Sequence, residues 1–241
     1  MNLDDGIAPN HWLCHQVPVR RWACAEHTDI ALWLIDLDGA WSIDVAADLS
    51  AAEHDRANRF RFEQHRQRHM RGRWAMRQIL GQLCGMAPDR LGLAEGAHGK
   101  PHLADHPELH FNLSHSGRWA LLATSSSCAL GIDIELDRDM ADADGVAQGA
   151  MSQTEWSHYL AEPSSGRHAL LLRTWTRKEA CLKALGTGLS LDARLIDLSP
   201  GMSAVPPWVS YQGADGHHTI QWTDIALPTV CGAMASCAWL A

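Results

Sequence analysis

The sequence lacks the cysteine spacing of a disulfide framework or of a thiolate zinc site. Its 241 residues include seven cysteines, an odd number, and no Cys-x-x-Cys motif. This usage is typical of proteins in a reducing cytosol. The sequence also lacks an apolar run of the roughly 18 residues that a membrane helix needs, and its first residues lack the basic and apolar regions of a signal peptide. We therefore expect a soluble, cytoplasmic protein with no membrane partner.

Positive charge is scarce. Lysine and arginine number 20 against 28 aspartates and glutamates, so the formal net charge is −8. Nothing global indicates a nucleic-acid-binding protein, and we expect no nucleic-acid partner. The composition, 46% hydrophobic and 20% charged, can bury a core and disfavours intrinsic disorder. At roughly 150 residues per domain, the length predicts one large domain or two small ones.

One segment departs from this acidic balance. Residues 56–77 contain eight arginines and a single acid, Glu63. The arginines are Arg56, Arg59, Arg61, Arg66, Arg68, Arg71, Arg73 and Arg77. Such a local cluster predicts a cationic surface, which favours an anionic ligand or partner. The apolar residues of the segment follow helical spacing as far as Leu83, and Gly85 predicts the end of the helix.

The order of predicted elements repeats once along the chain. The first cycle is a strand, the arginine-rich helix and two more strands, with the strands over 30–35, 110–114 and 119–124. The second cycle is a strand over 129–135, a loop over 137–150, helices over 151–162 and 168–186, and strands over 208–211, 219–222 and 236–240. This pattern predicts an α+β fold of two similar halves. We assign residues 1–125 to the N-terminal half and residues 126–241 to the C-terminal half.

Two carboxylates share one face of a predicted strand. Residues two apart on a strand point to the same side, so Asp133 and Glu135 lie together while Ile132 and Ile134 face the core. Adjacent like charges are destabilising unless a cation lies between them. A lone Asp-x-Glu is more often a solvated strand edge. The apolar surroundings and a third carboxylate favour a cation site instead.

The third carboxylate lies on the second predicted helix of the C-terminal half. Glu179 and Lys183 are four residues apart and therefore neighbours on one helix face, with Trp175 one turn earlier. Alone, the pair is an ordinary surface ion pair worth a few tenths of a kcal/mol. Together with Asp133 and Glu135 it supplies three hard oxygen donors and a lysine, a set that suits Mg²⁺ and phosphate groups.

A third group of residues has the composition of a phosphate contact. Lys100 follows a glycine, but Ala94 and Pro101 stand where a P-loop requires glycine and Ser or Thr, so that motif is absent. Ser114 and His115 end a predicted strand beside a glycine turn and could donate hydrogen bonds to a phosphate. Ordinary turn chemistry explains them about equally well.

These motifs, in this order, resemble the large single-chain 4′-phosphopantetheinyl transferases of the surfactin-synthetase type. The resemblance extends from about Glu53 to Leu191. It consists of the arginine-rich helix, Gly-Lys-Pro at 99–101, Phe-Asn-Leu-Ser-His-Ser at 111–116, Gly-Ile-Asp-Ile-Glu at 131–135 and Trp-x-x-Lys-Glu-Ala-x-x-Lys at 175–183. The family's fold, two similar α+β halves with the active site in the cleft between them, agrees with the repeat of elements.

The resemblance implies roles for individual residues. Asp133, Glu135 and Glu179 would bind magnesium on the pyrophosphate of coenzyme A, and Lys183 would stabilise the leaving group. Glu179 is also the candidate general base. The residues expected to contact coenzyme A, with its 3′-phosphate, are Arg56, Lys100, Pro101, Ser114, His115, Lys178 and Lys183.

The resemblance also implies an activity. The 4′-phosphopantetheine arm of coenzyme A would move to a serine of an apo acyl or peptidyl carrier protein, with adenosine 3′,5′-bisphosphate released, and a monomer would suffice. One alternative is a non-catalytic module that binds coenzyme A or a carrier. Retention of three carboxylates and of both Lys178 and Lys183 disfavours it. Another alternative is a magnesium-dependent nucleotide phosphohydrolase.

Overall fold

The computed structural model describes residues 18–199, 207–213 and 216–241, so residues 1–17, which bear on the signal-peptide prediction, lie outside it. The first half of the described chain contains β1 (Val19–Ala23), β2 (Ala31–Asp36), α1 (Ala51–Asn58), α2 (Glu63–Cys84), β3 (Leu93–Glu95), β4 (Pro101–Leu103), β5 (His110–Ser116) and β6 (Trp119–Ser125). The second half contains β7 (Leu130–Leu136), α3 (Ala143–Ala150), α4 (Gln153–Ala161), α5 (Ser164–Leu185), β8 (Trp208–Gly213), β9 (Gly216–Asp224) and β10 (Ala233–Leu240).

Each half is built on an antiparallel sheet. The strand order is β1-β2-β6-β5 in the first sheet and β7-β10-β9-β8 in the second, with β3 and β4 as a separate two-stranded sheet. Helix α2 packs on the first sheet, where Met76 and Leu80 join Ile35 in one hydrophobic cluster. Helix α5 packs on the second sheet, where Cys181 joins Trp222. The prediction of two α+β halves is confirmed.

A hydrophobic core continues across the two sheets. Leu32 and Leu121 from the first sheet share a cluster with Ile132, Ile134 and Trp239 from the second. Each of these five side chains is at most 1% exposed. Burying one such side chain contributes about 1.5–3 kcal/mol, so this cluster holds the halves against each other. It places β5 and β6 beside β7.

The seam between β5 and β7 is bonded by side chains. Asn112 and Ser116 lie on the same side of β5 because they are an even number of residues apart. The Asn112 Oδ1 accepts a hydrogen bond from the Ile132 amide at 2.8 Å, and the Ser116 Oγ accepts one from the Leu136 amide at 3.2 Å. These contacts satisfy backbone donors of β7, which would otherwise be buried without partners. They align β7 with β5.

Most of the predicted elements are confirmed, with boundaries that differ by four residues or fewer, but the arginine-rich segment is divided between α1 and α2, with Arg59 and Arg61 in the connection. Helix α2 ends at Gly85, as predicted, in the left-handed conformation with φ 66°. The predicted loop over 137–150 is wrong, because residues 143–150 form α3. Asp142 begins that helix by accepting a hydrogen bond from the Gly145 amide at 3.0 Å, and the alanines favour helix.

Among the described residues, no helix is both long enough and apolar enough to span a membrane.

Candidate active site

Strand β7 presents two carboxylates at the seam with β5. Ile132 and Ile134 are 0% exposed in the core, as predicted, which turns Asp133 and Glu135 to the opposite side. This side is not solvated, since Asp133 is 3% exposed. The interpretation of Asp133 and Glu135 as a solvated strand edge is therefore wrong. The two carboxylates lie where the two halves meet, and we call this region of β5, β7 and the neighbouring helix the cleft.

Helix α5 reaches this cleft because β7 carries a glycine where the helix crosses it. A Cβ atom at Gly131 would lie 2.1 Å from the Ala180 carbonyl oxygen and 2.4 Å from the Ala184 nitrogen. Only a residue without a side chain allows so close an approach. The same approach carries Glu179 and Lys183 to the carboxylates of β7. The sequence analysis included this glycine in a motif and missed its function.

Lys183 is the cation of the cleft. Its Nζ lies 2.6 Å from the Asp133 Oδ1, 3.8 Å from the Glu179 Oε2 and 3.1 Å from the Ser114 Oγ. It also donates to the Ile132 carbonyl oxygen at 3.3 Å. The lysine side chain is 23% exposed, so a ligand can reach it, but Asp133, Ser114 and Ile132 already accept its three protons, and a ligand must displace one of them. The structure thus brings Lys183 together with Asp133 and Glu179, while the roles expected for these residues stay predictions.

Two carboxylate oxygens of the cleft lack partners. The Asp133 Oδ2 and the Glu179 Oε1 are buried and accept no hydrogen bond from any described residue. Burial raises the pKa of both carboxyl groups, and the charge of Glu135 raises both pKa values further. Buried acceptors without donors are rare, and each calls for an explanation such as a missing ion. The pair therefore fits a cation.

The donor set suits magnesium, although the described side chains do not form a closed metal site. No three His, Cys, Asp or Glu side chains in the described ranges are arranged closely enough to hold an ion by themselves. Lys183 already binds one oxygen of Asp133. Mg²⁺ usually takes one or two protein carboxylates and keeps waters or substrate phosphates as its other ligands, so an open set of oxygens is what it requires.

Two serines of β5 hold the carboxylates of β7. The Ser114 Oγ donates to the Asp133 Oδ1 at 2.8 Å, and the Ser116 Oγ donates to the Glu135 Oε2 at 2.8 Å. Ser114 was expected to contact coenzyme A, but the structure commits its hydroxyl proton to Asp133. The sequence analysis missed Ser116 and Asn112. The alternation of polar residues at 112, 114 and 116 is the signal that identifies them.

His115 and Arg56 lie on another side of β5. His115 lines a small cavity of about 30 Å³ with His69, Arg68 and Arg73. Burial, together with the charges of Arg73 and Arg56, lowers the pKa of His69 to about 4. The pKa of His115 is also lowered, by burial first and then by the charge of Lys183. The neighbouring arginines contribute to both shifts, and they, rather than the two histidines, supply the positive charge that fits an anionic group.

Four arginines of α2 bind acidic residues of the first half. Arg73 and Arg77 both bind Glu53 at 2.6 Å, and Arg68 binds Asp38. Arg66 pairs with Glu63. The segment therefore does not present all its charges to a ligand, because local acids neutralise several of them.

Lys100 and Pro101 line a cavity of about 190 Å³ together with Asn112, Lys183 and Gly186. The Lys100 ammonium does not point freely into it. It donates to the carbonyl oxygens of Leu130 at 2.8 Å, Lys183 at 2.6 Å and Ala184 at 3.4 Å. An ammonium has three protons, and three acceptors use them all. Burial also lowers the pKa of Lys100 to about 8. In the described structure the ammonium is therefore engaged by backbone carbonyl oxygens, and its expected contact with a phosphate stays a prediction.

Lys178 is outside the cleft. Its side chain is 0% exposed, and its Nζ lies 2.7 Å from the Glu155 Oε2. It also donates to the carbonyl oxygens of Ala193 at 2.8 Å and Ile196 at 2.5 Å. The expected contact of Lys178 with coenzyme A is wrong, because the ammonium is enclosed in the core and all its donors are engaged.

The fold and the cleft define a class of protein. Two α+β halves of one chain enclose clustered carboxylates that face a lysine ammonium, beside a cavity and a group of basic side chains. Such a cleft is suited to a phosphate-bearing ligand and a divalent cation.

Comparison with known proteins identifies the family. Two family descriptions match the chain in succession, "4′-phosphopantetheinyl transferase, N-terminal" over residues 39–127 and "4′-phosphopantetheinyl transferase superfamily" over residues 129–224. The 4′-phosphopantetheinyl transferase HetI of Nostoc sp. is 37% identical over 190 residues, 75% of this chain and 80% of that protein. The chain belongs to the 4′-phosphopantetheinyl transferase superfamily, whose members are transferases.

More distant relatives have the same name. The 4′-phosphopantetheinyl transferase Sfp of Bacillus subtilis is 30% identical over 143 residues, 59% of this chain and 62% of that protein. The L-aminoadipate-semialdehyde dehydrogenase-phosphopantetheinyl transferase of Xenopus laevis is 27% identical over 157 residues, 60% of this chain and 52% of that protein. The matched regions span less than two thirds of the length of these two proteins.

Proposed function

We propose that this protein transfers the 4′-phosphopantetheine arm of coenzyme A to a serine of an apo acyl or peptidyl carrier protein in a magnesium-dependent reaction. Adenosine 3′,5′-bisphosphate is the second product. The observation that carries the proposal is the cleft in which Lys183 meets Asp133 and Glu179, each with one buried oxygen that has no described partner. The relatives' names supply the group that is transferred, 4′-phosphopantetheine.

The three carboxylates hold the metal. Asp133, Glu135 and Glu179 offer oxygen ligands, and their mutual repulsion makes a cation favourable. When bound, magnesium supplies neutralising charge to the pyrophosphate. Ser114 and Ser116 orient two of these ligands by donating to their carboxylates.

The side chains of the cleft divide the chemical work. The serine oxygen of the carrier forms a bond to the phosphorus that bears pantetheine, and the bond from that phosphorus to the bridging oxygen breaks. Lys183 stabilises the negative charge that develops on the departing bisphosphate. Glu179, one oxygen of which has no described partner, accepts the serine proton. Positioning and charge neutralisation account for most of such a rate enhancement.

Coenzyme A lies across both halves in this proposal. Residues 1–125 contribute Pro101 at the 190 Å³ cavity and the basic side chains Arg56 and His115, which suit its 3′-phosphate. Residues 126–241 contribute the metal ligands and Lys183. Both walls of the cleft come from one chain, so a monomer is sufficient. A cytoplasmic location and the absence of a nucleic-acid partner belong to the same proposal.

One assay tests the proposal against its alternatives. The protein is incubated with coenzyme A, Mg²⁺ and an apo carrier protein, and the carrier is weighed by mass spectrometry, with EDTA in a parallel reaction. A gain of one phosphopantetheine that EDTA abolishes supports the proposal. An unchanged carrier that nevertheless forms a complex favours a binding module. Coenzyme A cleaved without transfer favours a phosphohydrolase.

A further inference from the structure

We propose that Lys100 is a positioning residue that holds the C-terminal end of α5 and thereby places the Lys183 ammonium on Asp133. The inference deepens the proposed function, on which its activity test rests. It replaces the expectation that the Lys100 ammonium binds a phosphate. The structural basis is that one ammonium of the first half donates to two backbone segments of the second half, the end of α5 and the start of β7.

The end of α5 presents acceptors that require donors. The last carbonyl groups of a helix lack partners within the helix and carry partial negative charge. Lys183 and Ala184 lie in the last turn of α5, which ends at Leu185 with Gly186 in the left-handed conformation at φ 77°. The Lys100 ammonium donates to the carbonyl oxygens of both residues, so it satisfies the end of the helix and complements its dipole.

The same ammonium also reaches β7. Its bond to the Leu130 carbonyl oxygen, at 2.8 Å, lies at the first residue of the strand that carries Asp133. Lys100 itself directly precedes β4 in the other half. One side chain of the first half therefore ties the helix and the strand of the second half together at their meeting point.

Lys183 takes part in this link through two groups of the same residue. Its carbonyl oxygen accepts from Lys100 at 2.6 Å, and its own Nζ lies 2.6 Å from the Asp133 Oδ1. A shift of the backbone at Lys183 moves the ammonium at the end of its side chain. Because misplacing a catalytic group by about 1 Å can lower a rate about a hundredfold, the Lys100 contacts bear directly on catalysis.

The position of the other cations argues against a phosphate role for Lys100. Its three protons are engaged by carbonyl oxygens, so binding a phosphate would break those bonds. His115 and His69 line the 30 Å³ cavity, and the charge of Arg56 acts on both histidines. Arg56 therefore offers a phosphate a positive charge without breaking the Lys100 contacts.

Two coenzyme A substrates separate positioning from phosphate binding. Transfer to the carrier is measured with coenzyme A and with 3′-dephospho-coenzyme A for the wild type, Lys100→Met and Lys100→Arg. We expect Lys100→Met to lower kcat about tenfold or more with both substrates, while the ratio of their kcat/KM values keeps its wild-type value. Lys100→Arg keeps a charge and several donors and should recover part of kcat. Arg56→Met is the matched control, and it should lower the ratio.

The opposite pattern overturns the proposal. If Lys100→Met keeps kcat but raises KM for coenzyme A alone, Lys100 binds the 3′-phosphate. Hydrogen–deuterium exchange provides a readout that does not depend on transfer. The amides of Gly186 and Thr187 donate to the carbonyls of Lys183 and Leu182, and we expect their exchange to accelerate about tenfold or more in Lys100→Met as the last turn frays.

The exchange experiment also separates this proposal from the proposed function. A wild-type protein without transferase activity would refute the function, whereas unchanged exchange at 186 and 187 in Lys100→Met would refute the positioning role. If Lys100→Met does not fold, Lys100→Arg is compared with the wild type by the same measurements. Exchange that is faster in Lys100→Arg than in the wild type supports the link, and unchanged exchange with an altered substrate ratio overturns it.

Discussion

Helix α5 contributes the lysine of two lysine–carboxylate pairs. In one pair every charged atom has a hydrogen-bond partner, and in the other pair one carboxylate oxygen has none. Lys178 and Glu155 are 0% and 8% exposed, and the lysine has two further carbonyl acceptors. The Glu155 carboxylate also accepts from the amides of Ser152 at 2.7 Å and Leu198 at 3.0 Å. Lys183 and Asp133 are 23% and 4% exposed, and one oxygen of Asp133 has no partner among the described residues.

The difference separates a structural pair from a functional one. In the Lys178 pair, desolvation is offset by hydrogen bonds to every charged atom, so the pair joins α4, α5 and the segment 193–198. In the Lys183 pair, a carboxylate oxygen is buried without a donor, which costs about 1–3 kcal/mol or more. Such a deficit persists where a ligand or ion uses it. The two lysines are five residues apart in one sequence motif, yet only Lys183 faces the cleft.

The largest expected effect is on transfer. Asp133→Asn keeps the shape of the side chain and removes its charge, so we expect transfer to the carrier to fall by about a thousandfold or more. The melting temperature should change little, because the loss of the ion pair with Lys183 is offset by weaker repulsion from Glu135 and Glu179. Mass spectrometry of the carrier and thermal unfolding measure the two effects, with the exposed Glu108→Gln as control. Near-normal turnover would refute the metal assignment.

Lys178→Met should do the reverse and affect mainly stability. Removing one partner of a buried pair leaves an uncompensated charge on Glu155 and costs about 3–5 kcal/mol. For a protein of this size the melting temperature should fall by about 10 °C. Circular dichroism melts measure it, and the double variant Lys178→Met/Glu155→Gln should regain part of the loss. An unchanged melting temperature together with weakened coenzyme A binding would show that Lys178 contacts coenzyme A.

Gly131→Ala tests the close crossing of α5 over β7, which brings Lys183 to the carboxylates of the cleft. Its Cβ would lie 2.1 Å from the Ala180 carbonyl oxygen, so α5 must move away from β7. Overpacking of this kind costs about 1–3 kcal/mol, and transfer should fall further because Lys183 moves from Asp133. Gly149→Ala in α3 is the control, since nothing lies within 4 Å of its added Cβ, and it should stabilise slightly. Equal behaviour of both variants would contradict the close crossing.

Magnesium should stabilise the folded protein only by binding at the carboxylates of the cleft. At a free Mg²⁺ concentration of ten times its Kd, binding to the native state alone adds about 1.4 kcal/mol. That corresponds to a rise in melting temperature of about 4 °C. We expect this rise in the wild type and in Lys178→Met, and none in Asp133→Asn. A rise of equal size in Asp133→Asn would place the ion elsewhere.

The smallest expected effect is a pH dependence of stability without metal. Burial raises the pKa of Glu179, and the charges of Asp133 and Glu135 raise it further. The folded protein therefore binds the proton more tightly than the unfolded chain, and this contribution to stability is present at low pH and is lost as pH rises through the folded pKa. Glu179→Gln should match the wild type near pH 4.5 and melt higher than it at pH 7.5. If the difference in melting temperature between Glu179→Gln and the wild type stays constant from pH 4.5 to pH 7.5, the pKa of Glu179 is not raised.

Local sequence patterns predicted much of the fold because their causes are local. The alternation of Ile132 and Ile134 with Asp133 and Glu135 reflects the two faces of a strand, and burial of the isoleucines is confirmed. The end of α2 at Gly85 follows from the freedom of glycine to adopt positive φ. The helix α3 over 143–150 was missed because the acidic loop-like composition concealed a helix that begins at the cap of Asp142.

Within the candidate site, the sequence predicted which charged residues form a group, but it did not predict the hydrogen-bond partners of the side chains. The sequence indicated that Asp133, Glu135, Glu179 and Lys183 form one group. It could not distinguish Lys178 from a ligand contact, because the acceptors of its ammonium lie at Glu155, Ala193 and Ile196, 15 to 23 residues away. It also could not show that the protons of Lys100 and Ser114 were already engaged.

The amino-acid sequence by itself determined the family, the two α+β halves and the residue types that meet in the cleft, since these follow from motifs and from the periodicity of strands and helices. Only the tertiary structure decided which acceptors each lysine ammonium binds and which ammonium a ligand can reach. The reason is physical: an ammonium group takes the acceptors nearest to it, and which acceptors are near Lys100, Lys178 and Lys183 depends on how α5 crosses β7 at Gly131.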